Sequence, residues 1–275
     1  MALIPPYYVD TVVAIGTQVN GQTSWVGTGF LFGDLIEKTA DDSNRYSVYL
    51  VTNKHVIKDY NSIVIRFNPQ DDKPAKDYNI NLKNQKDELI WTGHPDTEID
   101  VAVLPINANI TSQEGMKYGF FQSDKHVADI QALSARGATE GDFIYVLGFP
   151  MGLVSKDRQH VFVRTGVISR IRDLFEKRGK DFVVDSVVFP GNSGGPVVTK
   201  PEISSIQGTQ ASNRSDLIGL VKSYIPYIDV AISQQTKRAR ITFEENTGLT
   251  KVEPVDHIIQ TIVEAKKKNA PQQNA

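Results

Sequence analysis

The chain of 275 residues contains no cysteine. That excludes a disulfide framework, a thiol nucleophile, an iron–sulfur cluster and Cys-ligated zinc, and the fold is not expected to need an oxidising compartment. No apolar run approaches the roughly eighteen residues of a membrane span. The start, Met1-Ala2-Leu3-Ile4-Pro5-Pro6, lacks a basic segment and a long apolar core, so it does not read as a secretory signal, and a cytoplasmic location is the expectation. Excess charge is missing too. Lys and Arg number 30 against 32 Asp and Glu, a net −2, which argues against a nucleic acid or an anionic membrane as partner. None of the five histidines shows H-x-H or H-E-x-x-H spacing, so neither a metal nor a cofactor is expected.

What the chain has in quantity is short β-type runs. With 40% apolar residues it can bury a substantial core. Val12 to Ile15, Trp25 to Phe32, Val48 to Thr52, Ile63 to Phe67, Val101 to Leu104, Phe143 to Leu147, Val161 to Ile168, Phe182 to Phe189, Val197-Val198, Leu217 to Val221 and Ile241 to Phe243 are separated by Gly, Asn, Asp and Pro clusters. Many short strands with irregular turns predict an antiparallel sandwich or barrel. One amphipathic helix stands out, because Val255, Ile258, Ile259, Ile262 and Val263 share a face, Pro254 suits its first turn and Lys266 to Lys268 suit its negative end. The polar stretches Asp71 to Asp87 and Ser204 to Asp216 read as loops, Asn107 to Gly137 as a connection between halves, and Asn269 to Ala275 as a tail.

The sharpest segment is Pro190-Gly191-Asn192-Ser193-Gly194-Gly195-Pro196. Glycines allow a tight turn that aims consecutive N–H groups at one point, as acyl transfer to a serine requires; the alternative is a Gly-rich hairpin turn. The segment also matches G-x-S-x-G, but Pro196 and the β-branched residues after it predict a strand where the nucleophile elbow of α/β-hydrolases needs a helix. A serine hydroxyl needs a base. His55, just past an apolar run, is a candidate, although a lone histidine beside apolar neighbours is also an ordinary packed residue. Asp100, at the entrance of Val101 to Leu104, can orient an imidazole or simply open a strand, and Asp96 is a near competitor.

Six segments then line up in order. Gly27-Thr28-Gly29-Phe30-Leu31-Phe32, Val51 to Ile57 around His55, Asp100 to Leu104, Leu147 to Gly152, Thr165 to Ser169 and Pro190 to Pro196 resemble the trypsin/chymotrypsin-like serine proteases, and within them the HtrA (Deg)-type bacterial branch. The resemblance spans most of residues 10–265. It implies an all-β fold of two antiparallel six-stranded β-barrels with a C-terminal helix. The expected boundaries are 1–110 and 138–252 for the barrels, 111–137 for the linker, 253–268 for the helix and 269–275 for the tail. It further implies a serine endopeptidase with Ser193 as nucleophile, His55 as general base and then acid, Asp100 as orienting carboxylate, and an oxyanion hole made by the N–H groups of Gly191 and Ser193.

By the same alignment the primary pocket is lined by Ser186, Val187 and Val188 on one side and by Lys222, Ser223 and Tyr224 on the other. Val187 takes the pocket base. No aspartate stands there, which disfavours basic cleavage sites and leaves small or medium apolar ones. Asn192 replaces the aspartate that pairs with a new N-terminus in the digestive and clotting members, so activation by N-terminal cleavage is not expected. A PDZ domain, usual in the HtrA branch, is not expected in the seven residues after Lys268. The branch often forms trimers through its N-terminal segment, and Leu3, Ile4, Tyr7 and Tyr8 leave that open. The expected partner is a protein or peptide substrate. A latent or partner-activated protease, or a protease-shaped binding module, is the alternative.

Overall fold

The computed structural model describes residues 4–39, 44–108, 113–202 and 211–269. Leu3, residues 204–210 of the expected loop and residues 270–275 of the expected tail lie outside them. The strands run in chain order β1 (Val12–Val19), β2 (Gln22–Glu37), β3 (Arg45–Thr52), β4 (Ser62–Phe67), β5 (Lys76–Asn81), β6 (Thr92–Gly93), β7 (Ala102–Pro105), β8 (Phe121–Gln122), β9 (Phe143–Gly148), β10 (Phe162–Arg170), β11 (Phe182–Asp185), β12 (Pro196–Thr199), β13 (Leu217–Ile232) and β14 (Ala239–Pro254). The helices are α1 (Lys54–Ile57), α2 (Ile130–Ala135), α3 (Arg172–Phe175) and α4 (Val255–Asn269).

The architecture is all-β, as expected. The C-terminal half is a closed barrel in the order β10-β11-β14-β13-β12-β9. The N-terminal half is consistent with the expected second barrel, with eight strands where six were expected. Its eight-stranded sheet follows the order β5-β4-β1-β2-β3-β7-β6, with β8 added in parallel to β2. The end strands β5 and β6 do not pair with each other among the described residues, and β6 has two residues, too few to carry the ladder round. The Asp71 to Asp87 loop holds β5, and the linker holds β8 and α2.

Alternation explains the strands. Each half turns one set of side chains inward, giving one cluster around Val13, Ile15, Leu31, Leu50 and Ile63 and another around Ile144, Val146, Phe182, Val184 and Val197. A third cluster belongs to both halves, joining Phe30, Phe32, Val51 and Val101 to Leu147, Phe149 and Leu217. Helix α4 adds Val255, Ile258 and Ile262 to that shared core with Ile259 partly buried beside them, whereas Val263, read as part of the same stripe, is exposed because the buried face turns through Thr261 and Ala265 instead. The Tyr8 side chain is fully buried and its hydroxyl donates to the Ser215 carbonyl at 2.6 Å, pinning the N-terminal segment to the opposite half of its own chain. Among the described residues no helix is long and apolar enough to cross a membrane.

Candidate active site

Strand β3 delivers the chain to Asn53, whose extended backbone (φ −82°, ψ 151°) opens α1 and puts His55 on its first turn. Asn53 Nδ2 donates to the Asp100 carbonyl at 2.6 Å, tying that turn to the entrance of β7. Asp100 grips His55 twice: Oδ1 accepts the His55 main-chain N–H at 3.1 Å and Oδ2 is hydrogen-bonded to Nδ1 of the ring. Burial pushes the Asp100 carboxyl up, but the hydrogen bonds and charge of His55 outweigh it and hold the group below the usual carboxylate range. Asp100 is thus a carboxylate at neutral pH, with the imidazole fixed so that Nε2 is the free nitrogen. Asp96, the competitor, is instead paired with Lys180 at 2.6 Å.

Ser193 sits in the turn between β11 and β12. The run Phe182 to Phe189 does not continue as a strand beyond Asp185, because residues 186–195 peel away to form this turn. Pro190 C=O accepts from Met151 N at 2.5 Å, which turns the next N–H, that of Gly191, the opposite way. Gly191 has φ +97°, and a Cβ there would lie 2.4 Å from the Phe149 carbonyl oxygen, so both conformation and space demand glycine. From the other half, Thr28 holds the turn: its Oγ1 donates to Gly191 O at 2.6 Å and accepts from Phe149 N at 3.0 Å, and its N–H donates to Ser193 O at 2.9 Å. The N–H groups of Gly191 and Ser193 have no partner among the described residues. Asn192 is buried, with Oδ1 accepting from Phe189 N at 3.0 Å.

His55, Asp100 and Ser193 open on one cleft of about 430 Å³, completed by Val188 to Pro190 and Val221 to Tyr224. A model of the trypsin-like peptidase domain matches residues 27–202, a span that contains all three and the whole serine turn. The chain belongs to this family. A curated relative, the probable periplasmic serine endoprotease DegP-like protein of Pseudomonas putida, is 25% identical over 194 residues, which is 69% of this chain. The chain spans about a third of that relative's length (33%). Among solved structures, the apo MamO protease domain of Magnetospirillum magneticum superposes with a TM-score of 0.49 at 15% identity, over 92% of this chain and 96% of that one.

In this trypsin-like peptidase domain the pocket residues are arranged differently from the alignment. Val187, expected at the base, is exposed and does not line the cleft. Alternation after β11 turns Ser186 and Val188 inward and Val187 out. Val188, Lys222, Ser223 and Tyr224 do line it. The Lys222 ammonium, however, is occupied elsewhere: it lies 2.9 Å from Glu253 Oε1, 2.9 Å from the Glu98 carbonyl and 3.6 Å from Asp181.

That lysine belongs to a buried charge network the sequence did not announce. Glu253 is fully buried; its Oε1 also accepts the Asp100 N–H at 2.9 Å, and Oε2 meets Nδ1 of His257 at 2.7 Å. Burial pushes Glu253 up, and the hydrogen bonds from His257, Asp100 and Lys222 pull it below its ordinary value, so it is a carboxylate. Burial pushes Lys222 down, but the hydrogen bonds and charges of Glu253 and Asp181 together outweigh it and push the group up, so it keeps its proton. The one available signal was the i, i+4 spacing of Glu253 and His257 at the start of α4. Of the other histidines, His94 meets Gln260 and His126 meets Tyr7.

Proposed function

We propose that this protein is a serine endopeptidase working through Ser193, His55 and Asp100. His55 Nε2 takes the Ser193 proton as Oγ bonds to the scissile carbonyl carbon. Asp100 stabilises the imidazolium and stays ionised. The N–H groups of Gly191 and Ser193 receive the oxyanion. When the C–N bond breaks, His55 gives the proton to the leaving amine and an acyl-enzyme remains; water, deprotonated by the same imidazole, then releases the acid and restores the serine. The observation that carries this reading is the double grip of Asp100 on His55 in the cleft that also holds Ser193, in whose turn the N–H groups of Gly191 and Ser193 are unengaged among the described residues. A fluorophosphonate probe is expected to label the chain at Ser193, and Ser193→Ala is expected to abolish labelling and peptide turnover with the fold intact. Wild-type-like cleavage by that variant would overturn the assignment.

The cleft favours small or medium apolar residues at the cleavage site. Its walls carry Val188, Phe189, Pro190 and Val221, and Asp100, the one carboxylate on the lining, is engaged by His55. Asn192 supplies internally the anchor that a new N-terminal ammonium supplies in the digestive enzymes, so maturation by N-terminal cleavage is not needed.

One observation supports a resting state. The Ser193 hydroxyl donates to the Lys222 carbonyl at 3.5 Å and makes no hydrogen bond to His55 among the described residues. A turn about χ1 then precedes attack, and a bound substrate strand on Lys222 to Tyr224 would compete for that carbonyl. Faster probe labelling in the presence of a non-cleavable peptide is expected; slower labelling would refute the resting state.

A further inference from the structure

Beyond Tyr224 strands β13 and β14 leave the barrel and continue as a two-stranded ribbon, paired from Pro226↔Asn246 to Ile232↔Ala239. Its paired stretch is about 20 Å long, from the six steps between seven residues at ~3.3 Å each. An isolated pair of strands is marginal in water, and this one carries apolar side chains on both faces. Opposite residues share a face, so Tyr227, Phe243 and Ile241 lie on one side and Ile228, Val230 and Ile232 on the other. All six are exposed, Ile232 at 62% and Tyr227 at 58%.

The charges on the ribbon are sorted by position. Lys237, Arg238 and Arg240 crowd the tip, Glu244 and Glu245 lie toward the base, and Asp229 sits midway on the face opposite to Ile228, Val230 and Ile232. Among the described residues none of the three cations makes an ion pair, and neither do Asp229 and Glu245. A surface that is apolar in the middle, basic at one end and acidic at the other is complementary to itself when turned end for end. That is the condition for a twofold, isologous contact. Carboxylates among the apolar residues speak against an anionic membrane, which would want cations alone.

We propose that the ribbon is a self-association arm: two copies of this chain lay their ribbons antiparallel about a twofold axis, so that Ile228, Val230 and Ile232 are covered and the basic tip of each copy rests on the acidic base of the other, at Glu244 on the same face. The axis passes near the middle of the ribbon, beside Val230 and Thr242. Because β13 also carries Lys222 to Tyr224, the arm roots in the cleft wall and the dimer sets two clefts in fixed relation.

The chain's lack of cysteine gives a direct test, which can be run on Ser193→Ala chains so that its outcome is independent of the catalytic assignment. Val230→Cys, close to the axis, is expected to form a disulfide dimer on mild oxidation. Arg238→Cys, far from its own counterpart in the partner copy, is expected to remain single, yet to cross-link when mixed with Glu244→Cys chains. Sedimentation velocity is expected to show a concentration-dependent dimer whose Kd rises at least about tenfold in Arg238→Glu/Arg240→Glu and recovers when Glu244→Lys is added. Circular dichroism on each exposed-site variant separates lost association from lost folding. A chain that stays monomeric up to about 100 μM, a dimer indifferent to the charge changes, or Val230→Cys cross-linking no faster than Lys86→Cys on the other half would each overturn the proposal.

Discussion

Thr28→Val is the most searching perturbation of the proposed site, because Thr28 touches neither substrate nor the reacting groups. The substitution keeps the shape and removes one hydroxyl. In the fully buried Thr28 that hydroxyl donates to Gly191 O and accepts from Phe149 N, so two buried main-chain groups lose their partner together. At about 1–3 kcal/mol for each orphaned group, the cost in folding stability is roughly 2–6 kcal/mol. The catalytic effect has a different origin. Gly191 O belongs to the same residue as one of the two oxyanion donors, and releasing it lets that N–H swing off its aim. The upper bound is the loss of one donor, about 2.7–4 kcal/mol in the barrier or roughly 10²–10³ in kcat. The donor acts on charge that exists only in the transition state, so KM is expected to change little while kcat falls. Urea unfolding gives the first quantity, and peptide hydrolysis at a temperature where both proteins are folded gives the second. Thr28→Ser restores the hydroxyl and is expected to recover most of both. A Thr28→Val enzyme with wild-type kcat, or with kcat unchanged and KM raised, would refute the idea that this threonine aims the oxyanion hole.

Asp100→Asn is expected to keep the fold and lose roughly 10⁴ in rate, because an amide presents the wrong tautomer to His55; a loss below tenfold in steady-state hydrolysis would assign the orienting role to another group. Gly191→Ala should cost the oxyanion donor and stability together, since its Cβ would meet the Phe149 carbonyl at 2.4 Å, and near-normal kcat would contradict that. Lys222→Met strands the Glu253 carboxylate in the interior and is expected to destabilise by about 3–5 kcal/mol, with partial recovery on adding Glu253→Gln; chemical denaturation of the single and double variants checks it. The Glu140 carboxyl accepts from Ile171 N and Arg172 N at the start of α3, and these bonds hold its pKa down to about 2. A depressed folded pKa adds stability above the ordinary glutamate value, lost as pH falls through that window. Glu140→Gln should therefore flatten the acid limb of the stability curve between about pH 4.5 and 2, and an unchanged limb in acid titrations of unfolding would count against it.

The parts of this protein that chemistry constrains locally were readable from its residues. Gly191 and Gly194 take positive φ in the serine turn, at +97° and +84°, and runs of Val, Ile and Phe pack alternately, so turn and strands announce themselves. Asp100 opens β7 as expected, although its choice over Asp96 becomes decisive only with the His55 contacts in view. What stayed hidden depends on partners distant in sequence or on a half-turn of backbone. Val187 was placed inward by alignment and faces outward because β11 ends at Asp185. Strand β8 lies in a polar stretch and exists because Phe121 pairs beside Phe32. The Glu253–Lys222 pair joins residues on neighbouring strands, with no pattern to reveal it. The ribbon that β13 and β14 form beyond Tyr224 was only hinted at by the short run Ile241 to Phe243.

The order in which the polypeptide is made has a bearing on when it becomes dangerous. Glu253 holds the main chain of Asp100, and the helix that follows it packs into the core common to both halves. A nascent chain that already contains the serine, the histidine and the aspartate therefore lacks the brace that seats the third of them. With the proposed triad, the aspartate would be seated only once residues near 262 have folded against both halves, which would keep a half-made molecule from cutting itself or its neighbours.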